Sequence, residues 1–192
     1  MTRLPHLDET ALSPDQQKVF DAIVNGPRKQ VVGPLRVWMQ SPALAERAQA
    51  LGQYARYDSV LPEHLSELAI LVTARIWSAG FEWTHHAPIA LAAGVPEHIV
   101  AAISLGHRVA CADKQMQAVL DFAIELHRDR QVSDNTYAAA YAALGQQGCV
   151  DLVGICGYYT LISMTINTFD IPDGDGPMLP RLGTAPHDMF RD

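Results

Sequence analysis

Apolar residues recur at helical spacing along most of this chain. Between residues 115 and 128 the apolar positions fall near one face of a helix: Met116, Val119, Leu120, Ala123, Ile124 and His127. No segment shows the sustained alternation of apolar and polar residues, with a tight turn, that predicts a β-hairpin. The pattern therefore predicts an all-α fold.

Serine, proline and glycine mark where the predicted helices begin and end. Ser13-Pro14 and Ser41-Pro42 each place a capping side chain and a proline at a helix start, and Gly94 is placed to end one. Helices are expected over roughly 14–24, 42–57, 63–77, 81–93, 97–106, 115–128, 134–144 and 150–169. Gly148 is expected to interrupt the chain before the last helix. The expected buried stripe of helix 42–57 is Leu44, Ala48, Leu51 and Ala55.

The length of the chain fits one domain, since 192 residues can bury a sizeable core. Residues 13–171 are expected to form this helical domain. Residues 1–12 are expected to form an extended N-terminal arm. Residues 172–192 are rich in Gly, Pro and Asp and are expected to form a surface tail.

One segment, Glu67 to Pro88, combines a long apolar run with acids and imidazoles. Burying such groups is costly unless they are paired, so their presence beside an apolar run indicates a site. A helix from before Glu67, a bend at Gly80 and a second helix could bring Glu67 beside His86. Glu82 and His86 are four residues apart on the second helix and so share a face.

These residues resemble the carboxymuconolactone decarboxylase family, which includes the alkylhydroperoxidase D-like (AhpD-like) proteins. Glu67 and His86 match the family's Glu and His, and the sequence 81–86, Phe-Glu-Trp-Thr-His-His, is similar to that of the decarboxylase branch. Ala79 and Glu82 occupy the positions of the Cys-x-x-Cys pair found in the peroxidase branch. The resemblance extends over about residues 13–172. It implies an AhpD-like multi-helix bundle that forms homo-oligomers, trimers or hexamers.

The resemblance also implies a chemistry, namely decarboxylation of a small carboxylated lactone in aromatic-acid degradation. The substrate carries its own electron sink, so no cofactor is expected. His86 would donate or shuttle a proton, Glu67 would orient it or relay, and Glu82 is a second candidate carboxylate. The expected substrate-binding residues are Phe81, Trp83, His85 and Arg75, with Arg36 as a further candidate for holding a substrate carboxylate.

Three other functions stay open on the sequence. A family member could use a thiol outside the motif for peroxide or redox chemistry. A metal enzyme could use the Glu-x-x-His of Glu82 and His85, although the further ligands of a di-iron bundle have no counterpart and no metal is expected. A non-catalytic assembly protein could use the same scaffold, with the apolar helix 150–169 buried between subunits.

Composition and charge limit the expected partners and the expected cellular compartment. The net charge of −7 and the lack of a basic run argue against nucleic-acid binding. Three irregularly spaced cysteines, Cys111, Cys149 and Cys156, are typical of free thiols in a reducing compartment. No signal-peptide pattern opens the chain, and no apolar run is expected to reach the ~20 residues of a membrane span. A cytoplasmic protein is the expectation.

Overall fold

A computed structural model describes residues 3–191 of the chain, which contain eight α-helices and no strand. The helices are α1 (Pro14–Asn25), α2 (Pro34–Trp38), α3 (Pro42–Gln53), α4 (Glu63–Trp77), α5 (Gly80–Ala92), α6 (Glu97–Ser104), α7 (Lys114–Asp129) and α8 (Asp134–Phe169). A π-helical turn, Tyr54–Asp58, continues α3, and a 3-10 turn, Pro186–Asp188, lies near the C-terminus. The predicted all-α fold is confirmed.

Helix α4 is the centre of the core. It packs against α5, α7 and α8, and its residues from Leu65 to Ile76 are buried on every side. A helix that is apolar all round can be stable only inside a protein, surrounded by other helices. The site described below is therefore built on the least exposed element of the fold.

The helix starts were largely predicted, with one exception. Ser13 forms a capping box with Gln16, and the side chain of Ser133 accepts a hydrogen bond from the backbone N–H of Thr136. Asp113 caps α7 in the same way. Ser41 makes no capping hydrogen bond through its side chain, so α3 begins at Pro42 without that contribution.

The predicted buried stripe of α3 was half wrong. Leu44 and Leu51 are 44% and 47% exposed, whereas the buried face consists of the small residues Ala45, Ala48, Gly52 and Ala55. This face lies against larger side chains of the core: a Cβ on Gly52 would overlap the Tyr158 hydroxyl of α8. Close approach of the helices, rather than large apolar side chains, decides which face of α3 is inside.

Helix α8 bends at Gly145, three residues earlier than predicted. Gly145 has φ 71°, which favours glycine, whereas Gly148 is helical and buried. The helix is also longer and more apolar than expected, enough to cross a membrane by length and composition, but 61% of its most apolar window is buried inside the domain. Such burial is typical of the core helix of a soluble protein.

The C-terminal segment packs against the domain and is not a free surface tail. Met189 and Phe190 are 2% and 0% exposed, and the Phe190 backbone N–H donates to the Gly106 carbonyl at 2.6 Å. A guanidinium nitrogen of Arg75 donates to the Pro180 carbonyl at 2.7 Å. The apolar residues in an otherwise polar segment anchor it, while most of its other side chains remain exposed.

Candidate active site

The turn between α4 and α5 sets the geometry of the site. Ser78 ends α4 in the left-handed conformation, with φ 50°, and α5 begins two residues later at Gly80. A Cβ on Gly80 would overlap the Asp173 carboxylate, so glycine is required for this close approach. The tight turn folds α5 back along α4 and brings their buried faces together.

His86 lies between two carboxylates, one from each of these helices. Its Nδ1 is 2.7 Å from Glu67 Oε2, and its Nε2 is 2.9 Å from Glu82 Oε1. The side chains of His86 and Glu67 are 2% and 1% exposed, and that of Glu82 is 6% exposed. The contact between Glu67 and His86 predicted from the sequence is therefore present.

This arrangement favours the imidazolium form of His86. Ionised carboxylates only accept hydrogen bonds, so contacts at both ring nitrogens are best satisfied when both carry a proton. Burial by itself lowers the pKa of His86, but the charges and hydrogen bonds of Glu67 and Glu82 outweigh it and raise the pKa to about 9. The site thus stores a proton in the protein interior.

His85 has the opposite character. Arg56, on the π-helical turn, donates from Nη1 to His85 Nε2 at 3.3 Å, which requires that nitrogen to be unprotonated. Burial, the charge of His86 and the charge of Arg56 lower the pKa of His85 to about 4. Two adjacent histidines therefore differ in protonation near neutral pH: His86 is charged and His85 is neutral.

A small cavity of about 40 Å³ opens beside His86. The lining residues are Arg28, Val32, Pro34, Leu35, Arg56, Phe81, Glu82, His85, His86, Tyr158, Tyr159 and Ile162. Glu67 does not line the cavity: it contacts His86 at Nδ1, whereas the lining residue Glu82 contacts Nε2. The Tyr159 hydroxyl is buried and has no hydrogen-bond partner among residues 3–191, and its ring meets that of His86 edge-on, with centroids 5.1 Å apart.

The predicted substrate-binding residues divide into two groups. Phe81 and His85 line the cavity. Trp83 is 2% exposed and belongs to the hydrophobic core, away from the lining. The Arg75 side chain donates to the carbonyls of Ser104 and Pro180 and, like Trp83, does not line the cavity.

Arg36 is also directed elsewhere. It forms an ion pair with Glu9 at 2.7 Å and lines a separate cavity of about 260 Å³. The cations at the His86 cavity are Arg28 and Arg56, which the sequence did not single out. Arg28 follows Gly26-Pro27 in a loop and Arg56 lies in a π-helical turn, so neither shares a helix with the motif. A π-helical turn is itself frequent at functional sites, but hydrophobic periodicity does not reveal it.

The cysteines lie away from this cavity. All three are free, and none lines it. Burial raises the pKa of Cys156 to about 12 and that of Cys111 to about 11, so both are thiols near neutral pH. Glu82 and His85, the Glu-x-x-His pair considered as metal ligands, do not point at a common position. Glu82 contacts His86, whereas His85 Nε2 accepts from Arg56.

Comparison with known families agrees with the geometry. Residues 42–125 match the model of the Carboxymuconolactone decarboxylase family (CMD). The resemblance inferred from the segment 67–86 is thereby confirmed. No match was found among curated proteins.

Solved structures share the AhpD-like fold across almost the whole chain. An uncharacterized peroxidase-related protein from Silicibacter sp. TM1040 has a TM-score of 0.73 at 15% identity, covering 90% of this chain and 91% of that chain. An alkylhydroperoxidase AhpD core protein from Ralstonia eutropha JMP134 has a TM-score of 0.72 at 16% identity, covering 91% and 93%. The debrominase Bmp8, solved with 2,3,4-tribromopyrrole, has a TM-score of 0.72 at 14% identity with the same coverages. At such low sequence identity, the structural similarity shows a common fold.

Proposed function

We propose that this protein is a cofactor-free carboxy-lyase that decarboxylates a small carboxylated lactone or a related unsaturated ring. The observation that carries the proposal is the buried imidazole ring of His86 held between Glu67 and Glu82 at the edge of a cavity. The family of the central residues supports the reaction class, since the family takes its name from a decarboxylase. Solved structures with the same fold include a peroxidase-related protein and a debrominase, so the activity of this chain is tested directly.

The electron flow of such a reaction uses the substrate's own conjugation. When the bond to the departing carboxylate breaks, its electron pair remains on a ring carbon and delocalises through the alkene onto the lactone carbonyl. Carbon dioxide leaves, and a dienolate remains. The Tyr159 hydroxyl, which lacks a partner among the described residues, is a suitable donor to the dienolate oxygen. Preorganised donors of this kind stabilise the charge as it develops.

The dienolate then takes a proton from the enzyme to form a new C–H bond. Glu82 and His86 both line the cavity, and His86 Nε2 donates to Glu82. A proton therefore passes from His86 through Glu82 to carbon, and solvent returns a proton afterwards. Glu67 does not line the cavity, so it acts as a positioning residue that fixes the ring of His86 and maintains its charge.

The size of the cavity indicates that the substrate needs more space than the unliganded protein provides. About 40 Å³ is room for a few water molecules, whereas ligand sites commonly occupy ~300 Å³ or more. Phe81 lines both this cavity and the cavity of about 260 Å³ that contains Arg36. A rotation of the Phe81 ring would join the two, and the joined space approaches the size of a ligand site.

The thiol-dependent alternative has less support. The nucleophile of such a reaction is a thiolate, but Cys111 and Cys156 have raised pKa values and lie outside the cavity. A peroxide assay with a thiol reductant, on the wild type and on Cys→Ser variants, separates the two functions. Cysteine-dependent peroxide turnover would favour the redox alternative.

We further propose that the protein is a homo-oligomer, a trimer or a hexamer. The exposed face of α8 supports this: Val150, Val153 and Met164 are 66%, 49% and 46% exposed, and residues 152–169 contain no charged side chain. An uncharged, partly apolar helix face is typical of subunit contacts. Light scattering coupled to size-exclusion chromatography measures the subunit number, and a monomer at micromolar concentration would contradict the proposal.

The reaction itself is tested with purified protein and γ-carboxymuconolactone, without added cofactor, by following carbon dioxide release. The wild type is expected to turn over and His86→Gln is expected to lose about 10²- to 10⁴-fold in kcat, the usual contribution of a positioned acid–base group. His107→Gln, which changes an exposed histidine, is the matched control. Full turnover by His86→Gln would rule out the central role of this imidazole.

A further inference from the structure

The His86 cavity contains two arginines that take no part in the proposed proton transfer. Arg28 and Arg56 both line it. Neither forms an ion pair with a carboxylate anywhere in the part of the chain that the structure describes, and the buried Nε of Arg28 has no hydrogen-bond partner there. A partly buried guanidinium without a counter-ion is costly, so its retention beside a cavity points to an anionic ligand.

Arg28 is positioned by a hydrogen bond to Tyr158 and by the space beside Gly52. Its Nη2 donates to the Tyr158 hydroxyl at 3.1 Å, which leaves the hydroxyl proton free for another acceptor. A Cβ on Gly52 would overlap both the Tyr158 hydroxyl and the Arg28 guanidinium, so only glycine leaves room for this pair against α3. A buried glycine in the interior of a helix lowers helix stability by roughly 0.5–1 kcal/mol relative to alanine. Here the space it leaves is filled by the arginine and tyrosine.

Arg56 is held from a second direction. It lies in the π-helical turn Tyr54–Asp58 and donates to the neutral His85 ring at 3.3 Å. Its guanidinium carbon also lies 5.2 Å from the centroid of the Tyr57 ring. A guanidinium carries five N–H donors, so the contact with His85 leaves donors for a ligand. Tyr54, on the same turn, donates to Asp151 at 2.8 Å, and the Val60 backbone N–H donates to the same carboxylate at 2.9 Å. The turn that carries Arg56 is thus fixed to α8.

The charge balance of the site indicates what these arginines bind. Arg28, Arg56 and protonated His86 supply three positive charges, and Glu67 with Glu82 supplies two negative charges, which leaves one positive charge. A single carboxylate would neutralise it. That carboxylate cannot be the departing one, because arginines that stabilise it in the ground state would oppose its loss.

We propose that Arg28 and Arg56 bind a carboxylate of the substrate that does not react, and so hold the ring with its departing group toward Glu82 and His86. This inference rests on the proposed function for the orientation of the ring, but the anion subsite itself is independent of turnover. Tyr158 is a positioning residue in this scheme, since it contacts Arg28 from the protein side. The apolar wall opposite, Val32, Pro34, Leu35 and Ile162, would face the ring.

The test measures binding rather than turnover. Isothermal titration calorimetry is performed with muconolactone, which is a lactone bearing one carboxylate, and with its neutral primary amide. The wild type is expected to bind the carboxylate at least about tenfold more tightly than the amide. Arg28→Gln and Arg56→Gln are each expected to lose that preference, with amide affinity changed less than about twofold. Arg47→Gln, which removes an equal charge from a side chain that is 75% exposed and lines neither cavity, is expected to keep it.

Each outcome decides between the possibilities. No preference for the carboxylate in the wild type, or unchanged preference in both arginine variants, would overturn the anion subsite. Equal loss of carboxylate and amide binding would mean that the arginines only maintain the fold, which also overturns it. If the preference is present while no decarboxylation occurs in the wild type, the subsite stands and the proposed reaction fails.

Discussion

His86 on α5 and Glu67 on α4 are joined by a 2.7 Å hydrogen bond in the interior of the protein. The bond ties the two central helices together at the point where Glu82 approaches the other ring nitrogen of His86. It also determines which way the ring faces, because Nδ1 is held by Glu67 and only the Nε2 side is directed toward the cavity-lining Glu82. The fold and the proposed proton transfer therefore depend on the same contact.

The first prediction concerns this contact. Glu67→Gln removes the charge that, after the effect of burial, contributes most to raising the pKa of His86 above its usual value, so that pKa should fall. The alkaline limb of the pH–rate profile, expected near pH 9 in the wild type, should move to lower pH by about one unit or more. We expect kcat near neutral pH to fall about 10- to 100-fold. Stopped assays across the pH range measure both.

Glu63→Gln provides the control for that experiment. Glu63 lies in the first turn of the same helix and is exposed, so the substitution changes the net charge equally without reaching His86. Its profile should match that of the wild type. An unshifted alkaline limb in Glu67→Gln would show that the pH dependence does not come from His86.

Much of this site was accessible from the sequence, because its core residues lie on two adjacent helices. The spacing of Glu82 and His86 follows directly from helical period, and Gly80 marked the turn that returns the chain to Glu67. The helical boundaries of α4, α5 and α7 were predicted to within a few residues for the same reason. Local rules suffice where the residues concerned are close in the chain.

The parts that the sequence did not reveal depend on distant contacts. Arg28, Arg56 and Tyr159 come from a loop, a π-helical turn and α8, and no periodic pattern links them to residue 86. Arg75 lies in the motif segment, but its side chain leaves α4 toward Pro180. The direction of a side chain around a fully buried helix cannot be read from apolar periodicity, because every face is apolar.

The second prediction separates the two adjacent tyrosines. The Tyr159 hydroxyl has no partner within residues 3–191, so Tyr159→Phe should leave the free energy of unfolding unchanged or slightly higher, since an unsatisfied buried hydroxyl is costly. If this hydroxyl stabilises the dienolate, kcat should fall about 10²- to 10³-fold. Chemical denaturation and steady-state kinetics on the same variant measure the two effects.

Tyr158→Phe should behave differently. The Tyr158 hydroxyl accepts from Arg28, so its loss should lower the free energy of unfolding by about 1–3 kcal/mol. Its effect should appear mainly in KM, because Arg28 is proposed to hold the substrate. If both variants lowered stability and kcat alike, the division of roles between the two tyrosines would be refuted.

The third prediction concerns stability and pH. The pKa of His86 is raised to about 9 in the folded protein from a usual value of 6.5. Its contribution to stability is therefore complete below about pH 6.5 and is lost as the pH rises through 9. Burial and, to a lesser degree, Arg130 lower the pKa of His127 to about 4 from 6.5, so its contribution is complete above pH 6.5 and is lost as the pH falls through 4.

The free energy of unfolding should accordingly be highest near pH 6.5 and fall on both sides, as measured by urea denaturation at a series of pH values. His127→Gln should flatten the acid side only. His127 Nε2 is 2.9 Å from Thr73 Oγ1, and neither residue lines the cavity, so the alkaline side should be preserved. Retention of the full acid slope in this variant would assign it to other groups, of which His85, with a pKa of about 4, is the first candidate.

The fourth prediction concerns access to the cavity. Phe81 packs against Gly33, where a Cβ would overlap its ring, and it separates the cavity of about 40 Å³ from that of about 260 Å³. Phe81→Ala should join the two cavities permanently and should allow larger carboxylated lactones to bind. Loss of the ring should also lower the free energy of unfolding, by up to about 3–5 kcal/mol if the site were fully buried and by less here because Phe81 is only partly buried.

Association and dissociation rates show whether Phe81 limits entry into the cavity or only contributes binding surface. If Phe81 limits access, Phe81→Ala should raise the association rate of muconolactone in stopped-flow measurements, whereas Phe81→Leu, which keeps an apolar side chain between the cavities, should change it less. If Phe81 only contributes binding surface, the association rate should stay constant and the dissociation rate should rise in both variants. An unchanged association rate would therefore exclude ring rotation as the limiting step, because removing a barrier must speed passage through it.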